Sequence, residues 1–328
     1  MQKILPLVSP PTETYQGISF ILGVLLANEN TKNVYYNNYI NIQCIDTDNI
    51  EEVKLNFTNV LWENYRLSGI AEMNMYCLDN IHCDCFVNFI KERINQGNYL
   101  LFYNIDEYYL SYSNSFQNTH YCHDTYVYGY ENSTFCVMAY KGRKLSKFNI
   151  PMSELQNGLY CHINAGNNLT FCTFRPTCGK IECIDMKRIR RALFDYYHSE
   201  CSENADSSNI YGISIYDVLI KCIKKNILGK VANPYIDFRT FRLLWEHKKI
   251  LKDHILKINE LTDLKSKEDN MVMIGEIEAM AEMIFNLVIK YSLNDKINIL
   301  EDVCVYLAQL RKKEKELINL LLAELKNE

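Results

Sequence analysis

The stretch His120-Tyr121-Cys122-His123-Asp124-Thr125-Tyr126-Val127-Tyr128-Gly129-Tyr130 decides how this chain folds. From Thr125 to Tyr130 it is rich in aromatic and β-branched residues, the composition of a half-buried strand. Glu131-Asn132-Ser133 has the chemistry of a tight turn, and Phe135 to Tyr140 reads as a second strand. Together they predict an antiparallel hairpin. Alternation puts His123, Thr125, Val127 and Gly129 on one face of the first strand. Asp124, Tyr126, Tyr128 and Tyr130 fall on the other.

Working outward, the same signals extend the sheet. Tyr99 to Ile105 reads as a strand before the hairpin, and Leu145 to Ile150 as one after it, across the turn Lys141-Gly142-Arg143. Leu169 to Phe174 is expected to close the sheet before Arg175-Pro176. Gly17 to Leu26 is apolar on every side and suits a short, fully buried helix. Cys85 to Ile94 is amphipathic, capped by Asp84 and stopped at Asn95-Gln96-Gly97. Tyr35 to Cys44 and Glu52 to Phe57 look like strands.

From about Asp185 the pattern changes to helices alone: Met186 to His198, Ile215 to Ile227, Phe238 to Leu261, Met271 to Tyr291, and Asp295 to Lys326. Asp263 to Asn270 is a polar connection. In the last helix Val303, Leu307, Leu310, Leu317, Leu321 and Leu325 form a stripe interrupted at Glu314, the mark of a bundle seam. Trp245 in the third helix reads as an anchor for domain docking, with His247 a candidate to point back toward the first domain. The expected fold is α+β, an antiparallel-sheet domain over 1–184 followed by an all-α helical bundle over 185–328.

Composition narrows the function. The chain has 328 residues, 48% of them apolar, enough for two buried cores. A net charge of -5 argues against nucleic acid, whose phosphates call for clustered Lys and Arg. No run of about 18 uncharged apolar residues predicts a membrane span. The start, Met1-Gln2-Lys3-Ile4-Leu5-Pro6, has no apolar segment of the secretory kind, so the 13 cysteines are expected to be reduced thiols in a cytoplasmic protein. Without that secretory context the sequons at Asn56, Asn132 and Asn168 carry no weight. His82-Cys83-Asp84-Cys85 and Cys178 with Cys183 lack the C-x-x-C spacing of a tetrahedral zinc half-site, so no metal or other cofactor is expected. The 24 tyrosines, with many Asn, Ile and Lys, reflect base composition rather than a role.

A histidine opening a strand, after a buried helix early in the domain, is the arrangement in which papain-type enzymes present a general base. There a thiol at the helix N-terminus is activated by the imidazole, and a carboxylate or amide fixes the tautomer. The small-sided face of His123, Thr125 and Val127 is expected to pack against the helix at Gly17 to Ala27. The segment resembles the histidine strand of the papain-like superfamily. Tyr103 to Leu110, His120 to Asp124, Val127 to Tyr130 and Leu243 to Lys249 together resemble a group similar to the N-terminal domain of butirosin biosynthesis protein H, an acyltransferase that draws on a carrier protein. The likeness spans nearly the whole chain. Its members are found beside genes for peptide and nonribosomal-peptide biosynthesis.

Two positions depart from the papain pattern. Where the thiol belongs the chain reads Thr14-Tyr15-Gln16-Gly17-Ile18, and where the orienting carboxylate belongs it reads Met138-Ala139-Tyr140. Gln16 suits an oxyanion-hole role rather than a nucleophile. Asp106 is the residue expected to orient His123 from a neighbouring strand, and His120 and Asp124 are further cleft candidates. Cys44 is the nearest early thiol, although on an expected strand. The resemblance implies acyl or peptidyl transfer from a carrier-bound acyl or peptide substrate, with His123 as base. A catalytically silent binding relative and a leader-type cysteine peptidase are the alternatives.

Overall fold

The structure, a computed structural model, describes residues 2–47, 53–58, 69–78, 83–164, 169–177, 183–203, 205–228 and 235–325. His82, Cys178, Asn168 and Glu52 lie outside the described residues. The chain divides into two compact units. One comprises Met1–Lys32 and Leu61–Glu182, the other Asn33–Val60 and Cys183–Glu328. The long segment of the second unit begins at Cys183, and that unit also takes in residues 33–60 of the N-terminal half.

The first unit is α+β, built on a seven-stranded antiparallel sheet in the order β4-β9-β5-β6-β7-β8, with β1 (Gln2–Ile4) paired to β6. The strands are β4 (Ala71–Leu78), β5 (Tyr99–Asp106), β6 (Cys122–Glu131), β7 (Thr134–Lys141), β8 (Lys144–Pro151) and β9 (Leu169–Pro176). The hairpin expected over Thr125–Tyr140 is β6 and β7, and β6 reaches back to include His123. β9 does not close the sheet. It lies inside it, between β5 and β4, a strand the sequence reading passed over. Two-sided burial explains why β5 reads as an almost continuous apolar run.

Helix α1 (Gln16–Leu26) covers one face of this sheet. Phe20 stacks on Tyr126 with centroids 4.0 Å apart and meets the edges of Tyr99 and Phe174. Such a pair adds roughly 0.5–1.5 kcal/mol beyond the burial of its area. Close approach is needed too, since a Cβ on Gly23 would lie 2.9 Å from the Val8 carbonyl oxygen. The other face carries α3 (Cys83–Asn95) and α4 (Met152–Asn164), the latter unread in the sequence. Phe86 of α3 packs on Phe102, and a Cβ on Gly158 of α4 would lie 2.8 Å from Ile105.

The second unit holds five long helices: α5 (Met186–His198), α6 (Ile215–Leu228), α7 (Phe238–Leu261), α8 (Lys267–Asn294) and α9 (Ile297–Glu324). Asp185 and Asp237 cap α5 and α7 by accepting from backbone N–H groups one turn in. The leucine stripe of α9 is buried throughout, and Glu314, which interrupts it, forms a fully buried 2.6 Å pair with Lys248 of α7. Residues 33–60 contribute α2 (Asn33–Tyr36), β2 (Ile42–Ile45) and β3 (Asn56–Phe57), with β2 between β3 and β10 (Asn209–Tyr211). Tyr35 and Tyr36 are therefore helical rather than the start of a strand. Trp245 stacks on Phe285 of α8, a contact between two helices of its own unit. His247 points inward, its Nε2 donating to the Ile40 carbonyl at 2.7 Å. No helix among the described residues is long and apolar enough to cross a membrane.

Candidate active site

The β5–β6 register explains the site. Phe102 pairs with Thr125, but Ile105 rather than Asn104 pairs with His123, because β5 carries an extra residue there. Asn104 absorbs it in the left-handed region, φ 59°, which Asn tolerates better than most residues. The Asp124 carboxylate accepts the Asn104 N–H at 3.2 Å and fixes the bulge. Burial pushes the Asp124 carboxyl above the usual range, and the Asn104 N–H and His123 oppose that.

This shift of one residue changes which carboxylate meets His123. Under strict alternation Asn104 and Asp106 would share its face. With the bulge, Ile105 and Glu107 do. Glu107 Oε1 accepts from His123 Nδ1 at 3.2 Å, while Asp106 Oδ2 accepts from His120 Nδ1 at 2.6 Å. The structure thus places Asp106, the expected orienter, against His120, and the carboxylate that meets His123 is Glu107, the next residue along. Asp106 instead also caps the short 3-10 turn Glu107–Tyr109 by accepting from the Tyr108 N–H at 3.1 Å.

The two histidines differ in setting. The His120 side chain is 63% exposed and stacks on Tyr108, whereas that of His123 is 29% exposed and lies near Tyr121 and Tyr140. Its partner Glu107 is only 7% exposed. Glu107 Oε2 accepts from Ser113 Oγ at 2.5 Å, so both oxygens of this buried carboxylate are engaged. A cleft of about 180 Å³ opens here, lined by Glu107, Ser113, Ser115, Tyr121, His123 and Tyr140 among others. With Nδ1 donating to the carboxylate, the neutral imidazole carries its lone pair on Nε2.

The remaining candidates lie elsewhere. Gln16 comes close to the His123 strand: its Nε2 donates to the Asp124 carbonyl at 2.6 Å. That engages the amide with the backbone. Its helix α1 packs against the Tyr126 face, whereas His123 shares the face of Thr125 and Ile105, where Tyr112 donates to or accepts from the Thr125 hydroxyl. The expectation that the His123 face packs against α1 is thus reversed. The large aromatic Tyr126 fills the space under the helix, and the small face is covered by α3, α4 and the segment following β5. Cys44 is buried on β2 in the second unit, and burial, helped by Cys222 and Asp46, pushes its thiol up to about 12. Burial likewise raises Cys172 to about 12, and raises Cys122 and Cys136. A thiol so shifted is a poor nucleophile near neutrality. Among the described residues no cluster of His, Cys, Asp or Glu has the makings of a metal site.

Sequence reasoning missed Glu107 and Ser113. Glu107 is next to Asp106 in sequence, and only the bulge at Asn104 distinguishes them. Ser113 sits in Ser111-Tyr112-Ser113-Asn114-Ser115, which carries no periodic signal. Comparison with known protein families gives no match, and comparison with curated proteins gives none.

Proposed function

We propose that the His123 cleft catalyses acyl or peptidyl transfer from a carrier-bound thioester to an amine, with His123 as general base. The observation that carries this reading is the contact of His123 Nδ1 with the buried Glu107 carboxylate, within a cleft of about 180 Å³. A carboxylate on Nδ1 leaves Nε2 to take a proton, and a base so placed contributes about 10²–10⁴-fold. The amine attacks the acyl carbon as Nε2 removes its proton, and the thiolate leaves. The likeness of the sequence to the butirosin biosynthesis protein H group supports a carrier protein as donor. We place the reaction in the cytoplasm, where the thiols stay reduced.

A second reading is a silent relative that binds a peptide or carrier protein in the same cleft. It draws support from α1, whose N-terminus meets the sheet at Asp124 on the face away from His123. A leader-type peptidase has less support, because the shifted thiols are all raised. Incubation of the full chain with an N-acetylcysteamine thioester and a primary amine, with the amide product measured by mass spectrometry, separates the first two. Transfer requires amide formation that is lost in His123→Ala and kept in His120→Ala. Formation that survives in His123→Ala removes the base, and no formation in the unaltered chain leaves the binding relative.

A further inference from the structure

The cleft contains a hydroxyl whose hydrogen bonds go beyond what its local turn needs. Ser113 Oγ accepts from the Ser115 N–H at 3.0 Å, an ordinary serine turn. That turn places no demand on the hydroxyl proton. The proton is nonetheless directed at Glu107 Oε2, 2.5 Å away, while the other oxygen of the same carboxylate holds His123. A hydroxyl, a carboxylate and an imidazole are thus joined in line, with the hydroxyl and the imidazole both lining one cleft. Nucleophilic catalysis needs this set: a weak nucleophile in contact with a base, and the base held by a third group.

We propose that Ser113 is the covalent nucleophile of the cleft, carrying the acyl group as an ester in place of a thiol. The inference rests on the transfer reading above and adds a step to it. In the first half-reaction Ser113 Oγ forms a bond to the thioester carbonyl carbon and its proton moves to Glu107. The C–S bond breaks, and the departing thiolate takes that proton, returning Glu107 to its carboxylate form. In the second, the amine nitrogen bonds to the ester carbon and its proton moves to His123 Nε2. The C–Oγ bond breaks and Oγ takes a proton through Glu107, replaced by the Nδ1 proton of the imidazolium. Thioester plus amine has become amide plus thiol; Ser113 and Glu107 end as they began, and His123, left with its proton on Nε2, regains the Nδ1–H form by proton exchange with solvent.

The test is acid-quenched intact-mass analysis and peptide mapping of the full chain after mixing with acetyl-N-acetylcysteamine, without amine. The expected result is one acetyl group on Ser113, removed by hydroxylamine. It is absent in Ser113→Ala and Glu107→Gln, and present in Ser111→Ala and, as a thioester, in Ser113→Cys. Thermal melts of Ser113→Ala and Ser113→Cys matching the unaltered chain establish that the loss is chemical. Acetylation elsewhere, or none, overturns Ser113 as nucleophile. If amide still forms with amine present and depends on His123, the base reading survives that failure. If amide formation ignores His123, the base reading falls by itself.

Discussion

A histidine acts as a base only when something decides which of its nitrogens keeps the proton. In the role proposed for His123 that group is Glu107, whose carboxylate is buried and shared between His123 and Ser113. Asp106, its neighbour in sequence, serves the exposed His120 and the Tyr108 N–H instead. Substitution at the two acids should therefore give opposite results. Glu107→Gln should lower amide formation by about a hundredfold or more, since it removes the group that orients the base. Asp106→Asn should leave the rate within a few-fold and cost about 1 kcal/mol in denaturant unfolding, the worth of a cap. Equal losses of rate at both positions would count against the assignment. The sequence made His123 legible through its strand and its place after a buried helix. It could not make Glu107 legible, because alternation favours Asp106 and the bulge that breaks alternation rests on one asparagine and one remote carboxylate.

At the scale of elements the bulge in β5 is the feature that positions the site. Asn104 holds φ 59°, and its N–H is received by Asp124 on the neighbouring strand. Val at this position would meet the left-handed conformation with a β-branched side chain and should cost about 1–3 kcal/mol, whereas Gly adopts it freely. Asn104→Val should thus lower both the melting temperature and His123-dependent turnover, and Asn104→Gly should keep both. A Val variant with unchanged turnover would show that the bulge does not set the register of Glu107. Most strands and helices were legible from periodicity, including the five long helices. The exceptions have physical reasons. β4 follows residues without a strand signal and alternates weakly, and α4 carries a glycine at Gly158 that lowers its helical signal but admits the Ile105 side chain. Alternation alone does not say which face of β6 meets α1, and the Phe20–Tyr126 stack gives that place to the face opposite His123.

Over the whole molecule, the least legible fact is that residues 33–60 fold with the C-terminal helices. Their partners lie about two hundred residues away. His247 Nε2 donates to Ile40, His254 Nε2 lies 2.9 Å from the Asn38 carbonyl, and Thr240 donates to Val53. No local pattern announces such contacts. They have a consequence for pH. Burial holds both His247 and His254 below the ordinary histidine value of 6.5, with Lys248 adding to the effect at His247. Below 6.5 the unfolded chain takes up protons at both positions while the folded unit resists, so the unfolded state binds more protons and stability falls as pH falls. Each histidine contributes up to about 1.4 kcal/mol per pH unit. Melting followed by circular dichroism should show the second unit losing stability from pH 7 to 5.5, and His254→Asn should flatten the slope. A melting temperature independent of pH over that range would contradict the buried neutral histidines.

The most direct test of the site needs no substrate. With ¹⁵N-labelled histidine, long-range ¹H–¹⁵N spectra of the neutral imidazole report which ring nitrogen is protonated. If Glu107 holds the imidazole, Nδ1 carries the proton and Nε2 shows the shift of a bare, lone-pair nitrogen, and Glu107→Gln weakens that preference while Asp106→Asn does not. A protonated Nε2 in the unaltered chain, or a tautomer indifferent to Glu107, would contradict the base at its origin.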